Sequence, residues 1–228
     1  MSELKIESVT PYFEKNQEII ELLERDIKII EGLLENIVTK LGEGKTANAH
    51  FLDSNGRFCL KILKKPGEMS GVPFYNSLEI EMGILNELQE LDSNVRVPKP
   101  YLAGDFKGVK FLIMETLSAH SVADILEGRG HLPENFNIAA FYENLKDFVE
   151  KMHGRNVYHR DLHAGNIMIN PETAEIYVID FGASSISYGD ESAYFEARPT
   201  NTVKFTKDED LLRDAYLSLR KYMLTNKK

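Results

Sequence analysis

Apolar residues recur along this chain at two different periods, and the alternation between them outlines its elements. Over residues 13–34, Ile20, Leu23, Ile27, Ile30 and Leu34 stand three or four positions apart with charged residues between, which predicts one amphipathic helix. Residues 1–12 read as irregular, with Pro11 as a break. A strand pattern then takes over. Ile37, Val38 and Leu41 mark a first strand, a glycine-bearing turn follows, and a second strand runs through Phe51. The turn Asp53-Ser54-Asn55-Gly56 leads into a third strand over residues 57–63, where Cys59 and Lys61 share a face. A helix over residues 74–91 carries Ile80, Ile84, Leu85 and Leu88 as its apolar stripe, and residues 95–100 form an extended link. Residues 101–116 read as two strands joined near Lys107-Gly108.

Beyond that point helices dominate. A short one over residues 122–126 has Ser121 as N-cap and Asp124 at its third position. A longer one over residues 137–153 turns Ile138, Phe141, Leu145, Phe148, Val149 and Met152 inward. The last, over residues 207–224, has Leu211, Leu212, Ala215, Leu219 and Tyr222 on its core side, and its acidic first turn suits the helix dipole.

Between the second and third of these helices lies VYHRDLHAGNIMINPETAEIYVIDFG, residues 157–182. It reads as a short strand, a polar loop, a strand at 167–169, a turn at 170–173, a strand at 176–179 and an acidic corner ending in Gly182. A hairpin of this form brings Asn166 and Asp180 to one end, where an amide oxygen and a carboxylate suit a hard cation such as Mg²⁺. Asp161 shares the loop and is placed to accept a proton from an alcohol. His159 and His163 stand four apart, but a zinc pair at that spacing requires a helix, which this loop is not. Elsewhere, Gly42 and Gly44 fit the first two positions of G-x-G-x-x-G, with Ala47 where the third glycine is expected. Such a loop lets backbone N–H groups lie over phosphate oxygens. Its place between two strands separates it from a dinucleotide fingerprint, which opens a helix. Lys61 has apolar neighbours on both sides, so its charge needs a partner.

Composition narrows the classes. The chain has 228 residues, room for one sizeable core or two small lobes. With 36 acidic against 27 basic residues its net charge is −9, and no Lys/Arg cluster offsets that, which argues against a nucleic-acid or membrane-surface binder. Cys59 is the one cysteine, so no intramolecular disulfide forms and a reducing compartment is compatible. No apolar run approaches the roughly 18 residues of a membrane span, and no usual secretory signal is visible.

The residues His159-Arg160-Asp161 with Asn166, followed by Asp180-Phe181-Gly182, resemble the HRDxxxxN and DFG signatures of protein kinases. The resemblance covers residues 37–224. It implies an α+β, two-lobed fold with an antiparallel β small lobe at 37–116 and a reduced helical large lobe at 117–228, preceded by the N-terminal helix within 1–36. By the same resemblance Asp161 is the catalytic base, Asn166 and Asp180 hold the metal, and Lys61 binds the α and β phosphates of ATP. Glu81 pairs with Lys61, since Glu-Met-Gly-Ile-Leu matches the family's spacing, and Glu79 is the alternative. The loop Gly42, Glu43, Gly44 and Ala47 covers the phosphates, while Cys59 lies over the adenine ring. Met114 is the gatekeeper, and the backbone from Glu115 to Leu117 meets the adenine edge. Asp210 corresponds to an acid that braces the catalytic loop. The implied cofactors are ATP and Mg²⁺, with Mn²⁺ as a substitute.

Two departures qualify the likeness. No A-P-E follows the DFG, and one helix stands where the family has several. His163 takes the position where Ser/Thr kinases place a lysine, which resembles small-molecule and some atypical kinases. The expectation is a minimal Ser/Thr protein kinase with a protein substrate, similar to bacterial effector kinases that act in a host cell. It is expected to be a monomer, with a dimer through the N-terminal helix as alternative, and to be cytoplasmic or delivered into a host without a signal peptide. Arg160 could clamp a phosphorylated loop, for which Ser184, Ser185, Ser187, Tyr188, Thr200 and Thr202 are available. The alternatives are a small-molecule kinase of aminoglycoside or choline type and a pseudokinase binding module.

Overall fold

Strand alternation in the first half of the chain produces one antiparallel sheet. In the computed structural model, which describes residues 4–11, 21, 40–43, 47–51, 58–63, 77–106, 108–186 and 207–226, that sheet has six strands. They are β1 (Leu4–Val9), β2 (Lys40–Glu43), β3 (Ala47–Phe51), β4 (Phe58–Leu63), β6 (Pro100–Phe106) and β7 (Val109–Glu115), while β5 (Val95–Arg96) lies in another sheet. The order across the sheet is β1-β6-β7-β4-β3-β2. Leu60, Leu102, Phe111, Leu112 and Ile113 are fully buried in it. Helix α1 (Leu78–Leu88) adds Leu78, Met82, Ile84, Leu85 and Leu88 to the core.

Two expectations for this region are corrected. Residues 4–9 are not irregular: β1 pairs with β6 from Leu4 opposite Phe106 to Val9 opposite Leu102, and Thr10 Oγ1 donates to the Pro100 carbonyl at 2.7 Å. The strand occupies an edge of β6 that would otherwise present unpaired backbone groups. Its Leu-Lys-Ile-Glu alternation is too short to stand out without that partner. On α1, Ile80 is 49% exposed and is not part of the apolar stripe. The buried face runs through Leu78, Glu81, Met82, Leu85 and Leu88, and an apolar count overlooks it because a glutamate sits in its middle. The helix expected over residues 13–34 lies outside the described residues, residue 21 apart, as do Gly44 and residues 187–206.

The chain divides into two compact units, Met1–Glu87 with Pro98–Leu117 and Leu88–Val97 with Ser118–Lys228. In the second, β8 (His120–Ser121), β10 (Ile167–Ile169) and β11 (Ile176–Val178) form a sheet with β5 in the order β5-β11-β10-β8. A separate pair joins β9 (Val157–Tyr158) to β12 (Ser185–Ile186). Helix α2 (Val122–Leu126) is capped as expected, Ser121 Oγ accepting from the Asp124 amide at 3.0 Å and donating to its carboxylate at 2.6 Å. Helix α3 (Ile138–Gly154) starts at Asn137, whose Oδ1 accepts from the amides of Ala139 and Ala140. It ends at Asn156, whose φ of 57° is the left-handed stop common after a helix. Phe141, Leu145, Phe148, Val149 and Met152 are its buried side. Helix α4 (Asp208–Thr225) buries Leu212, Ala215 and Leu219, and its Tyr216 ring lies 4.4 Å from that of Tyr142 on α3.

The two kinds of helical position are separable by unfolding. Phe148→Ala removes a ring with no exposed surface and is expected to destabilise by ~3–5 kcal/mol in urea denaturation. Ile80→Ala is expected to change stability by no more than ~0.5 kcal/mol, since half of that side chain is in solvent.

Candidate active site

In the first unit the site residues follow from strand geometry. Side chains two apart on β4 point the same way, so Cys59 and Lys61 emerge on one face, with Cys59 opposite Met114 on β7. Lys61 is 6% exposed and its Nζ donates to both oxygens of Glu81, at 2.6 and 2.8 Å; Glu81 is 1% exposed. Glu79 takes no part in that pair. Its carboxyl, hydrogen-bonded to Glu7 and lying 3.4 Å from Lys110 Nζ, is held down at about 2. Burial pushes the Cys59 thiol up to about 11, which makes it a small apolar filler rather than a nucleophile.

Gly42 and Glu43 pair with Ala49 and Asn48 in the β2–β3 hairpin, and the register slips between Lys40 and Gly42 as in a β-bulge. Ala47 opens β3 and is buried. After β7 the Glu115 amide donates to the Lys99 carbonyl at 2.8 Å, and its carboxylate accepts from the Lys99 amide. In the segment 115–117 the Thr116 hydroxyl is buried without a hydrogen-bond partner.

In the second unit the loop between β9 and β10 is set by one backbone torsion. Arg160 has a φ of 69°, and this left-handed residue turns the consecutive amides of His159 and Arg160 toward one point. Asp208, the first residue of α4, lies there: its Oδ2 accepts from the His159 amide and its Oδ1 from the Arg160 amide, both at 2.8 Å. His153 Nε2 adds a contact to Oδ2 at 3.1 Å. Burial raises the Asp208 carboxyl, but the bonds from His153 and the two amides outweigh it and hold the group below the ordinary carboxylate range. Asp210, expected in this role, instead lies on the solvent side of the helix, 3.4 Å from Arg213. The pattern of charges in Lys-Asp-Glu-Asp gives no reason to prefer one acid; only the loop's torsion does.

The loop's other groups are held from within. The fully buried His159 donates through Nε2 to the Ile179 carbonyl at 2.9 Å, and its ring packs at a tilt against Phe181 with centroids 4.6 Å apart. Arg160 lies over the Tyr158 ring at 4.8 Å, and Ser184 Oγ donates to the His159 carbonyl. Asn166 Nδ2 donates to the Asp161 carbonyl at 2.8 Å and stands 3.5 Å from its Oδ2. The Ile179 amide donates to the Asn166 carbonyl, and Ile167 faces Val178 in the hairpin, so Asn166 and Asp180 are one residue apart in register. Asp180 has φ 63° and ψ 70°, a left-handed corner that begins a 3-10 turn over Phe181–Ala183. His159 and His163 are not paired; the first is buried and the second half exposed.

The protein kinase domain model matches residues 36–216, and the chain belongs to that family. It is 34% identical over 103 residues to the mitogen-activated protein kinase kinase 1 of Arabidopsis thaliana, an overlap of 43% of this chain and 29% of that protein. With a probable casein kinase I homolog of Encephalitozoon cuniculi it shares 30% identity over 45% of its own length and 32% of the homolog's. With the CBL-interacting serine/threonine-protein kinase 16 of Arabidopsis thaliana it shares 25% identity over 66% of its length and 32% of the relative's. The chain therefore spans about a third or less of the length of these relatives. The solved kinase PK-1 of the Cydia pomonella granulovirus superposes with a TM-score of 0.47 at 22% identity, covering 73% of this chain and 60% of that one.

The donor set fits a hard divalent cation. Asn166 turns its amide nitrogen to the Asp161 carbonyl, so its oxygen is the group left to ligate, and Asp180 supplies a carboxylate from the adjacent register position. The anchoring by Asp208 is testable through acid stability. Asp208→Asn is expected to cost ~2–3 kcal/mol at neutral pH, because an amide cannot accept from both backbone donors. A depressed folded pKa gives stability that is present above the unfolded value and lost as pH falls through the folded one. The gap between wild type and Asp208→Asn is therefore expected to hold from pH 7 to about 5 and to close below about pH 4, as read by urea denaturation across that range.

Proposed function

We propose that this chain is an ATP- and Mg²⁺-dependent protein kinase of reduced size, directed at serine or threonine hydroxyls. The observation that carries the reading is the loop at 159–166, in which Asn166 braces Asp161 while the hairpin register sets Asp180 beside Asn166. Asp161 accepts the hydroxyl proton as phosphoryl transfer proceeds, and its half-exposed carboxylate suits that role. Asn166 and Asp180 hold the cation, which neutralises charge on the transferring phosphoryl group. Lys61 is oriented by Glu81 to bind the α and β phosphates. Gly42, Glu43, Gly44 and Ala47 line those phosphates, Cys59 and Met114 border the adenine, and the backbone from Glu115 to Leu117 meets its edge. Serine/threonine direction is supported by the name of the CBL-interacting relative, and a protein acceptor by the family.

His163 in the lysine position favours a second reading, a kinase acting on a small hydroxylated molecule. Transfer from γ-labelled ATP with Mg²⁺ to casein, to the chain itself and to a metabolite extract separates the two. Asp161→Asn is expected to lower transfer by ~10²–10⁴-fold. Asp180→Ala is expected to abolish Mg²⁺-dependent transfer, and Lys61→Ala to raise KM for ATP, each checked for folding by circular dichroism. Label on protein that vanishes in Asp161→Asn supports the proposal; label confined to small molecules replaces it with the second reading. Transfer unchanged in all three variants overturns both.

A further inference from the structure

His163 differs from its neighbours in the loop. It is 52% exposed, yet its ring has a defined seat: Nδ1 accepts from the Gly165 amide at 2.9 Å. A nitrogen that accepts an N–H carries no proton of its own, so in the neutral ring the proton is on Nε2. That nitrogen lies 3.6 Å from Asp161 Oδ2, too long for a hydrogen bond but within electrostatic reach. Asn166 Nδ2 stands 3.5 Å from the same oxygen. Oδ2 is thus flanked by an N–H of Asn166 and an N–H of His163. Gly165 makes the seat possible, because a Cβ there would fall 2.8 Å from His163 Cε1 and 3.0 Å from Nδ1.

We propose that His163 is a positioning residue for Asp161: seated on the Gly165 amide through Nδ1, it presents Nε2–H to Oδ2 and fixes the carboxylate for proton acceptance. This rests on the reading of Asp161 as the base. Such contacts are often long before substrate is bound and shorten in the reacting complex. A lysine in this place would bring a full charge on a flexible stem; the imidazole brings a neutral donor held by the backbone.

Two amide substitutions separate the ring's nitrogens. Asparagine places an oxygen near Nδ1 and can keep the bond from Gly165, but has nothing at Nε2; glutamine places an N–H near Nε2 and loses the Nδ1 acceptor. If Nε2–H positions Asp161, His163→Asn is expected to lower kcat for casein phosphorylation by ~10-fold with KM for ATP unchanged, and His163→Gln to retain most of it. If His163 only ties the loop, the order reverses. Gly165→Ala, which displaces the ring without removing it, is expected to match His163→Ala and to add nothing in the double variant. The Asp161 side-chain carboxyl carbon, followed by NMR without nucleotide, is expected to move in His163→Asn and stay in His163→Gln. Full kcat in His163→Asn, with Asp161→Asn inactive, overturns this inference and leaves the kinase reading standing. Were Asp161→Asn as active as wild type, or wild type inactive, the kinase reading would fall. The carboxyl shift would then decide the positioning contact alone, an unmoved resonance overturning it.

Discussion

A buried carboxylate that satisfies two consecutive backbone amides is the constraint on which the second unit's chemistry depends. Arg160 could not hold a left-handed torsion in a protein interior if the amides it aligns were left without an acceptor. Asp208 supplies that acceptor from the start of α4, and Asp161 is the next residue along. The backbone leading into Asp161 is therefore held by a residue 47 positions later in the sequence. His159 extends the bracing, since its ring reaches the Ile179 carbonyl, immediately before Asp180. The proposed base and the proposed metal ligand are held by one hydrogen-bonded frame.

The Lys61–Glu81 pair poses a different energetic problem. Two charges almost removed from water are costly, and their attraction repays desolvation only with good geometry. A pair of apolar residues filling the space of a buried ion pair is often as stable or more so. Fold stability alone does not account for a lysine with two apolar neighbours on β4 and a glutamate on the buried face of α1. The phosphate-binding role proposed for Lys61 does.

How much of this was legible in the chain depended on the range of the interactions. The hairpin at 167–178 and helix α3 carry their own evidence, in apolar period and a capping residue, and the structure places them within a residue or two of expectation. Glu81 is preferred to Glu79 through the family resemblance of Glu-Met-Gly-Ile-Leu, and it is the acid that meets Lys61. By contrast, β1 is a strand only because β6 offers an edge about a hundred residues away, as in Leu4 opposite Phe106. Asp208 cannot be told from Asp210 without the torsion at Arg160. The exposure of Ile80 follows from which side of α1 meets the sheet, a choice settled by the glutamate in the stripe. Elements set by local pattern are legible in the chain, whereas the edge that orders β1 and the acid that meets the loop amides are set by tertiary contact.

The loop also shows how a rigid segment can still present reactive groups. Leu162 is fully buried between two half-exposed side chains, Asp161 and His163. Alternation of this kind anchors the backbone from below while turning the polar pair to solvent. The remaining side chains of 158–166 are engaged within the unit: Tyr158 with Arg160, His159 with Ile179, Asn166 with Asp161. Preorganisation of this sort places the cost of ordering the loop in folding rather than in each encounter with a substrate. Glycine at 165 belongs to the same design, since a side chain there would close the space where the imidazole rests. The carboxylate and the imidazole it faces are thus presented by backbone that has little freedom left to lose.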